Sequence, residues 1–153
     1  MLNRRIKILS CPSPEYTKAL QLRYRILRVP LGLEFTTDEL EKDKQDVHLG
    51  LFENDKILAC ITLTRSENKR MKMRQVAVEE AEQGKGLGRK LSAAGEKYAL
   101  ENGFEIMFCN ARKTAVPFYE SMGYQIVSDE FVEVNIAHYT MEKKLVVDNT
   151  NKN

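Results

Sequence analysis

A chain of 153 residues has the length of one ordinary folding domain, and 42% hydrophobic with 30% charged residues places it among globular proteins and away from disordered ones. Lys and Arg outnumber Asp and Glu by only 24 to 22, a formal net charge of +2, too small for bulk electrostatic capture of nucleic acid, so any anion must be held by a local site. No apolar run approaches the ~18 residues that span a bilayer, and Arg4, Arg5 and Lys7 break up the start where a signal peptide would be apolar. The expectation is a soluble cytoplasmic protein with no membrane partner, a single domain over 1–146 and a frayed tail at 147–153. Cys11, Cys60 and Cys109 fit neither a CxxC nor a Cys/His spacing, so no disulfide framework and no metal site is expected, and Cys60 and Cys109 read as small buried hydrophobes on strands.

Residues 3–9 alternate apolar and basic side chains as a half-buried strand does. Ser13-Pro14 then opens a helix to about Val29, with Ala19, Leu22 and Ile26 near helical spacing and Pro30 as its stop. The acid-rich stretch 31–46 predicts a short helix beginning at Thr37, capped by that hydroxyl, with Leu40 inward. Val47–Phe52 and Lys56–Thr64 flank a hairpin-length connection, Glu53-Asn54-Asp55. The segment 71–78 alternates and then turns continuously apolar, as a strand buried on both sides does. Leu87, Leu91, Ala94 and Tyr98 mark an amphipathic helix from Lys85 to about Glu101, stopped at Asn102-Gly103. Phe104–Asn110 follows as a strand parallel to 71–78, joined through a right-handed crossover. A helix from Thr114 to Met122, closed by Gly123, and two strands at 124–134 and 136–145 complete the reading.

The chemistry concentrates just after Val78, in EEAEQGKGLG (79–88), where Gly84, Gly86 and Gly88 recur at every second position. The first turn of a helix leaves four N–H groups without intrahelical acceptors, and together with the helix dipole they form an anion site. Glycine in place of a capping side chain keeps those amides open to a ligand, and a bulky diphosphate can approach the bare backbone closely. Lys85 and Arg89 add positive charge, whereas Glu79, Glu80 and Glu82 oppose it. The alternative is a flexible turn whose small residues serve strand-helix packing. The ATP-binding GxxxxGK[ST] string is absent, and a dinucleotide GxGxxG is excluded because five residues intervene after the strand and Arg89 stands where its third glycine belongs.

The apolar strand MRQVAV followed by Gln83-Gly84-Lys85-Gly86-Leu87-Gly88 at a helix start resembles the first signature of the GNAT superfamily of N-acetyltransferases. Asn110-Ala111-Arg112 after FEIMFC, then AVPFYESMG (115–123) and Tyr124, resembles the second. Pro30-Leu31-Gly32, Asp46 with His48, and the ending with His138, Met141 and Lys143 are similar to a bacterial GNAT subgroup of mostly unassigned substrate. The resemblance covers nearly all of 5–145. It implies an α+β fold of three-layer character, the GNAT acyl-CoA N-acyltransferase fold: a central mixed, mostly antiparallel sheet, a parallel pair splayed between 71–78 and 104–110, and about four helices. It further implies acetyl-CoA as cosubstrate, with pantetheine in the splay bonding like an added strand to Val76 and Val78. Cofactor contacts carried over in this way are Val76, Ala77, Val78, Gln83, Gly84, Lys85, Gly86, Leu87, Gly88, Arg89, Asn110, Ala115, Phe118 and Tyr119.

Acetyl transfer to an amine needs a neutral amine, a polarised carbonyl and a proton for the departing thiolate. By resemblance Tyr119 gives that proton as general acid, and the backbone N–H around Val76 polarises the carbonyl as an oxyanion hole does. Phe118 and Tyr119 could equally be packing aromatics, and Asn110 a turn-former. The base stays open: a glutamate that some relatives carry on the strand before the loop is replaced by Lys72 and Arg74. Candidates are His48, His138, Glu79 and Glu34, or no base at all if the amine binds already neutral. The acceptor is read only as a small amine, or an amine of a peptide, that would lie against 31–46 and the last strands, where Glu34, Asp38, Glu39 and Glu41 attract cations or are merely solvated. The competing function is a noncatalytic CoA-binding or regulatory module on the same fold. Residues 65–74 as a nucleic-acid patch is a third reading, against one solvated strand face. Edge strands of this fold often pair into homodimers, and nothing in the sequence decides that.

Overall fold

A computed structural model describes residues 3–146, which gather into two compact units. One holds the residues up to Thr64 together with Met73–Gly95; the other holds Arg65–Lys72 together with the residues from Glu96 onward. The tail expected at 147–153 lies outside the described residues. Among the described residues no helix is long and apolar enough to cross a membrane.

The first unit begins with β1 (Arg4–Leu9), which pairs antiparallel with β2 (Val47–Glu53) from Arg4 opposite Glu53 to Leu9 opposite His48. β2 pairs antiparallel with β3 (Lys56–Arg65), and the turn between them uses Asn54 at φ 55°. β4 (Arg70–Val78) enters this unit at Met73, and the amide after its end, Glu79 N–H, donates to Leu58 O of β3 at 2.8 Å. Leu9, Ala19, Leu22, Phe52, Ile57, Cys60 and Ala77 form a core cluster, with Ile26 and Leu27 packed against it. Removing such side chains from water is the main stabilising term, about 1.5–3 kcal/mol for each large one.

Helix α1 (Pro14–Arg23) starts as expected, Ser13 Oγ accepting from Tyr16 N–H at 2.9 Å. Its continuation is not regular α-helix: Tyr24–Arg28 winds as a π turn and Val29–Leu31 as a 3-10 turn, ended by Gly32 at φ 68°. Pro30 has no N–H for the next bond, and the winding before it slips by one residue, Val29 N–H donating to Tyr24 O. Helix α2 (Thr37–Asp43) is capped by Thr36 and not by Thr37. The reason is the reciprocal box: Glu39 N–H donates to Thr36 Oγ1 at 3.1 Å and Thr36 N–H to Glu39 Oε1 at 3.4 Å, whereas the residue three beyond Thr37 is Leu40, which cannot reciprocate. The acid run is therefore partly spoken for, since Arg28 also grips Glu39 at 2.6 Å and Lys44 pairs with Glu41 at 3.1 Å.

A buried polar network ties these elements together. Asp43 Oδ2 accepts from Tyr16 Oη at 2.5 Å and from Arg23 Nη1 at 2.8 Å, and Arg23 is only 2% exposed. Burial and this bond to Asp43 push the Tyr16 phenol well above its ordinary range. The carbonyl of Asp43 takes a bond from His48 Nε2 at 2.7 Å, so Nε2 carries the proton and Nδ1 accepts from the Thr62 hydroxyl at 3.0 Å.

The second unit is built on β5 (Ile106–Arg112). It runs parallel to the start of β4, with Arg70 opposite Ile106 and Lys72 opposite Phe108. It pairs antiparallel with β8 (Ile136–Lys144) from Ile106 opposite Lys144 to Arg112 opposite His138. β5 starts later than Phe104 because that residue closes the end of helix α3 (Leu87–Glu101), its N–H donating to Ala99 O at 2.9 Å beyond Gly103 at φ 87°. Helix α4 (Val116–Glu120) follows a 3-10 turn at Lys113–Ala115, with Pro117 in its first turn. The single strand expected at 124–134 is instead two, β6 (Gln125–Ile126) and β7 (Phe131–Glu133), both paired with β8. Between them Ser128 Oγ accepts the Thr140 N–H at 2.9 Å, a side chain doing what a strand carbonyl would have done. Val134 and Asn135, at φ 51° and 59°, make the tight turn into β8. Among the described residues β1–β2, β2–β3, β5–β8, β6–β8 and β7–β8 pair antiparallel and β4–β5 parallel, and four α-helices accompany these strands.

Replacing Asp43 by Ala would leave the Arg23 guanidinium buried without its counter-charge, and chemical denaturation should show a loss of about 3–5 kcal/mol. Thr36→Ala, which removes only the cap, should cost about 1 kcal/mol in the same assay.

Candidate functional site

β4 delivers the chain to the glycine turn. Gln75 within it takes φ 55°, left-handed for a non-glycine residue, a conformation that regular strand does not use. Nothing in the sequence signals this, because Gln75 is neither Gly nor Asn. Val76 and Val78 are half-buried and Ala77 is buried in the core cluster. After Val78 a 3-10 turn, Glu80–Glu82, leads to Gln83, whose Nε2 reaches back to donate to Val78 O at 3.1 Å. That bond folds the turn onto the end of the strand.

Gly84 and Gly86 sit at φ 80° and 83°, and a Cβ on either would meet no atom within 4 Å. The backbone conformation, not crowding, therefore calls for glycine here, and the space beside the turn is open. Gly86 O accepts from Lys90 N–H at 3.1 Å, which makes Gly86 the cap and Leu87, Gly88 and Arg89 the first helical residues of α3. Their amides lie in the turn where no i−4 carbonyl exists within the helix. The side chain of Leu87 is buried and anchors that turn, as is Leu91 one turn on.

The acids that oppose an anion here are largely neutralised by partners the sequence did not reveal. Arg25 holds Glu79 through two bonds of 2.9 and 3.2 Å and keeps its carboxyl below the usual range. Glu82 lies between Arg4 Nη2 at 3.3 Å and Lys85 Nζ at 3.5 Å. Of the three glutamates only Glu80 is left without such a pair among the ion pairs described.

In the second unit Tyr119 lies on α4, its ring edge-on to Phe118 at 5.1 Å and to Tyr124 at 5.7 Å. Burial, with a smaller push from Cys109, raises its phenol well above the ordinary value, so it stays protonated across the neutral range. Tyr124 is held from the other side, its Oη donating to Glu96 at 2.8 Å, and Lys143 pairs with the same carboxylate at 2.8 Å. Asn110 on β5 accepts through Oδ1 from the Thr140 hydroxyl at 3.0 Å. Ala115 caps α4 and is half-buried, while Phe118 is exposed. The expected residues fall into the two units separately: Val76–Val78 and Gln83–Arg89 in the first, Asn110, Ala115, Phe118 and Tyr119 in the second.

The four base candidates fare differently. His48 is 2% exposed with both ring nitrogens engaged, and Glu79 is held by Arg25. His138 donates through Nδ1 to Ile136 O at 2.7 Å and stacks on Phe131, its Nε2 being 3.8 Å from Glu133. Glu34 is exposed on the loop before α2. The basic stretch 65–74 is not one solvated face, since Arg70 bonds Glu142 at 3.2 Å and lies over Phe108, and Arg74 stands 4.0 Å from Asp46.

A family model described as an acetyltransferase (GNAT) domain matches residues 33–145. The chain belongs to the GNAT acetyltransferase family. The uncharacterized N-acetyltransferase YjcF of Bacillus subtilis is 30% identical over 107 residues, 69% of this chain and 74% of YjcF. An acyl-CoA N-acyltransferase from Pseudomonas aeruginosa superposes with TM-score 0.79 at 19% identity, over 94% of this chain and 99% of that one. An aminoglycoside 6′-N-acetyltransferase solved with coenzyme A does so with TM-score 0.79 at 15% identity, over 94% and 98% of the two chains. Such distant likeness shows that this GNAT chain shares their fold.

Cys60 and Cys109 are buried on β3 and β5, their thiols pushed up to about 12 by burial, and Cys11 is the partly exposed one. A chromogenic disulfide reagent should therefore titrate one thiol quickly in the native protein and the other two only after denaturant is added.

Proposed function

We propose that this GNAT chain is a cytoplasmic N-acetyltransferase that moves the acetyl group of acetyl-CoA onto the primary amine of a small molecule, both units belonging to one domain. The observation that carries the reading is the open turn at the head of α3, where Gly84 and Gly86 take left-handed backbone and the first helical amides follow at once. In this reading the diphosphate of CoA rests on the amides of Gln83–Arg89, with Lys85 beside it. The paired states of Glu79 and Glu82 support it, because they lower the repulsion an anion would meet. The coenzyme A held by the aminoglycoside acetyltransferase of the same fold supports it too.

Val76 and Val78 then offer backbone bonds to pantetheine, and the left-handed backbone at Gln75 favours an N–H near Val76 as the group that polarises the thioester carbonyl. Asn110, Ala115 and Phe118 complete the cofactor contacts. The amine nitrogen attacks the carbonyl carbon, the C–S bond breaks, and the thiolate takes a proton from Tyr119, which recovers one from the newly formed amide nitrogen through solvent. Burial keeps the phenol protonated and makes it a weaker acid, and the same desolvation raises the proton affinity of a thiolate leaving beside it, so the proton can still pass from oxygen to sulfur.

Calorimetry tests the first half: CoA should bind the native protein, and Gly86→Glu, which puts a carboxylate and a strained φ into the turn, should weaken binding at least tenfold. Turnover tests the second: Tyr119→Phe should lower kcat by about a hundredfold while leaving CoA affinity within twofold. A native protein that binds CoA yet releases no thiol with any amine would be the noncatalytic module instead.

A further inference from the structure

At the end of the β2–β3 ladder away from the hairpin turn, two cross-strand pairs are polar, whereas Gly50 and Phe52 on β2 and Leu58 and Cys60 on β3 continue the same alternation as apolar residues or glycine. The register that sets Val47 opposite Leu63 and His48 opposite Thr62 puts Asp46, one step earlier, across from Thr64. Two residues apart, these two cross-strand pairs differ sharply in how they are satisfied. His48 and Thr62 are bonded to each other, and the imidazole also to Asp43 O. Asp46 Oδ2 and Thr64 Oγ1 are both buried and neither makes a hydrogen bond of good geometry among the described residues, although the Thr64 hydroxyl lies close enough to Asp46 to stabilise its charged form. The Asp46 side chain is 7% exposed, and the guanidinium of Arg74 stops at 4.0 Å. The other buried polar side-chain atoms without a partner, Arg23 Nε and Arg70 Nε, belong to guanidinium groups that bond through a second nitrogen.

A buried carboxylate oxygen left unbonded is costly, on the order of 1–3 kcal/mol or more, and a facing hydroxyl in the same condition leaves room for one shared donor. Acetyl transfer supplies such a donor. The acceptor arrives as an ammonium ion and must lose a proton before its nitrogen can attack. We propose that Asp46 is the proton acceptor of this reaction, receiving the ammonium proton, directly or through one water shared with Thr64. The assignment rests on the acetyl transfer proposed above and fills the role left open by His48 and Glu79. R–NH₃⁺ gives its proton to the Asp46 carboxylate, the neutral amine then displaces CoA thiolate as described, and Asp46 releases its proton to solvent at the end of the cycle.

The carboxyl is suited to it. Desolvation raises its proton affinity above that of an ordinary aspartate, the neighbouring Asp43 adding to this and Thr64, Arg74 and His48 opposing it. A carboxylate whose folded pKa is raised loses native-state stability as pH climbs from the unfolded value to the folded one. Asp46→Asn should therefore melt at the same temperature as the native protein or higher at pH 7, although a structural ion pair with Arg74 would make it melt lower.

The test uses the full chain with acetyl-CoA and spermidine, lysine and benzylamine as acceptor probes, following thiol release from pH 5 to 9. For a probe that is turned over, kcat/KM should rise through an acid limb that Asp46→Asn lacks, with activity at pH 7 down about a hundredfold and KM for acetyl-CoA within twofold. Thr64→Val should move that limb to higher pH. Retention of the limb in Asp46→Asn, or its loss in His138→Gln alone, overturns the assignment. If none of the probes is turned over while CoA still binds, the melting comparison decides, a lower melting temperature for Asp46→Asn overturning it. Absence of CoA binding to the native protein defeats the acetyltransfer reading itself, a different failure.

Discussion

The arrangement of the first unit depends on one buried charge pair. Arg23 is closed off from water, so its guanidinium needs a carboxylate, and Asp43 is the one it has. Asp43 sits on the last residue of α2, takes the Tyr16 hydroxyl of α1 on the same oxygen, and through its carbonyl fixes the tautomer of His48 on β2. Three elements are locked by one residue. A buried pair of this kind adds little net stability compared with apolar packing, yet breaking it is expensive, which makes it a constraint on geometry more than a source of energy. By orienting His48 toward Thr62, it also leaves the next pair along the strands, Asp46 and Thr64, unsatisfied by any neighbour on that network.

The glycine turn follows a different logic. Its conformation is paid for by residues that tolerate positive φ, and it is held at both ends, by the Gln83 side chain on Val78 O and by the buried Leu87. The anion-binding capacity comes from helix termination rules, and so would belong to any helix begun this way. What is particular to this chain is the handling of two of the surrounding acids, Glu79 and Glu82, which are drawn toward arginines from distant parts of the sequence. Arg4 and Arg25 come from β1 and from the π turn after α1.

Much of this was legible from the residues themselves. The strands at 4–9, 47–53 and 56–65 and the long helix from 87 follow from periodicity, and the Gly84 and Gly86 turn from the helix-start argument. The misreadings have identifiable causes. Adjacent threonines make the cap of α2 ambiguous by residue type, and only the glutamate three positions on, Glu39, selects Thr36. The break between β6 and β7 is invisible to periodicity, because Ser128 gives no signal that its side chain substitutes for a ladder carbonyl. The slip into a π turn after Arg23 and the left-handed Gln75 leave no mark in composition at all.

Local chemistry determined what the sequence alone could say: which segments are strands or helices, and that the chain between β4 and α3 turns on glycines. These depend on interactions within a few residues, and spacing encodes them. The tertiary structure decided everything that depends on residues far apart in the chain meeting: that Glu79 and Glu82 are paired, that His48 is engaged on both nitrogens, and that Asp46 is buried without a well-aligned donor. Whether a charged side chain is spent on structure or kept for chemistry turns on its burial and its partners, and neither is a property of its place in the sequence.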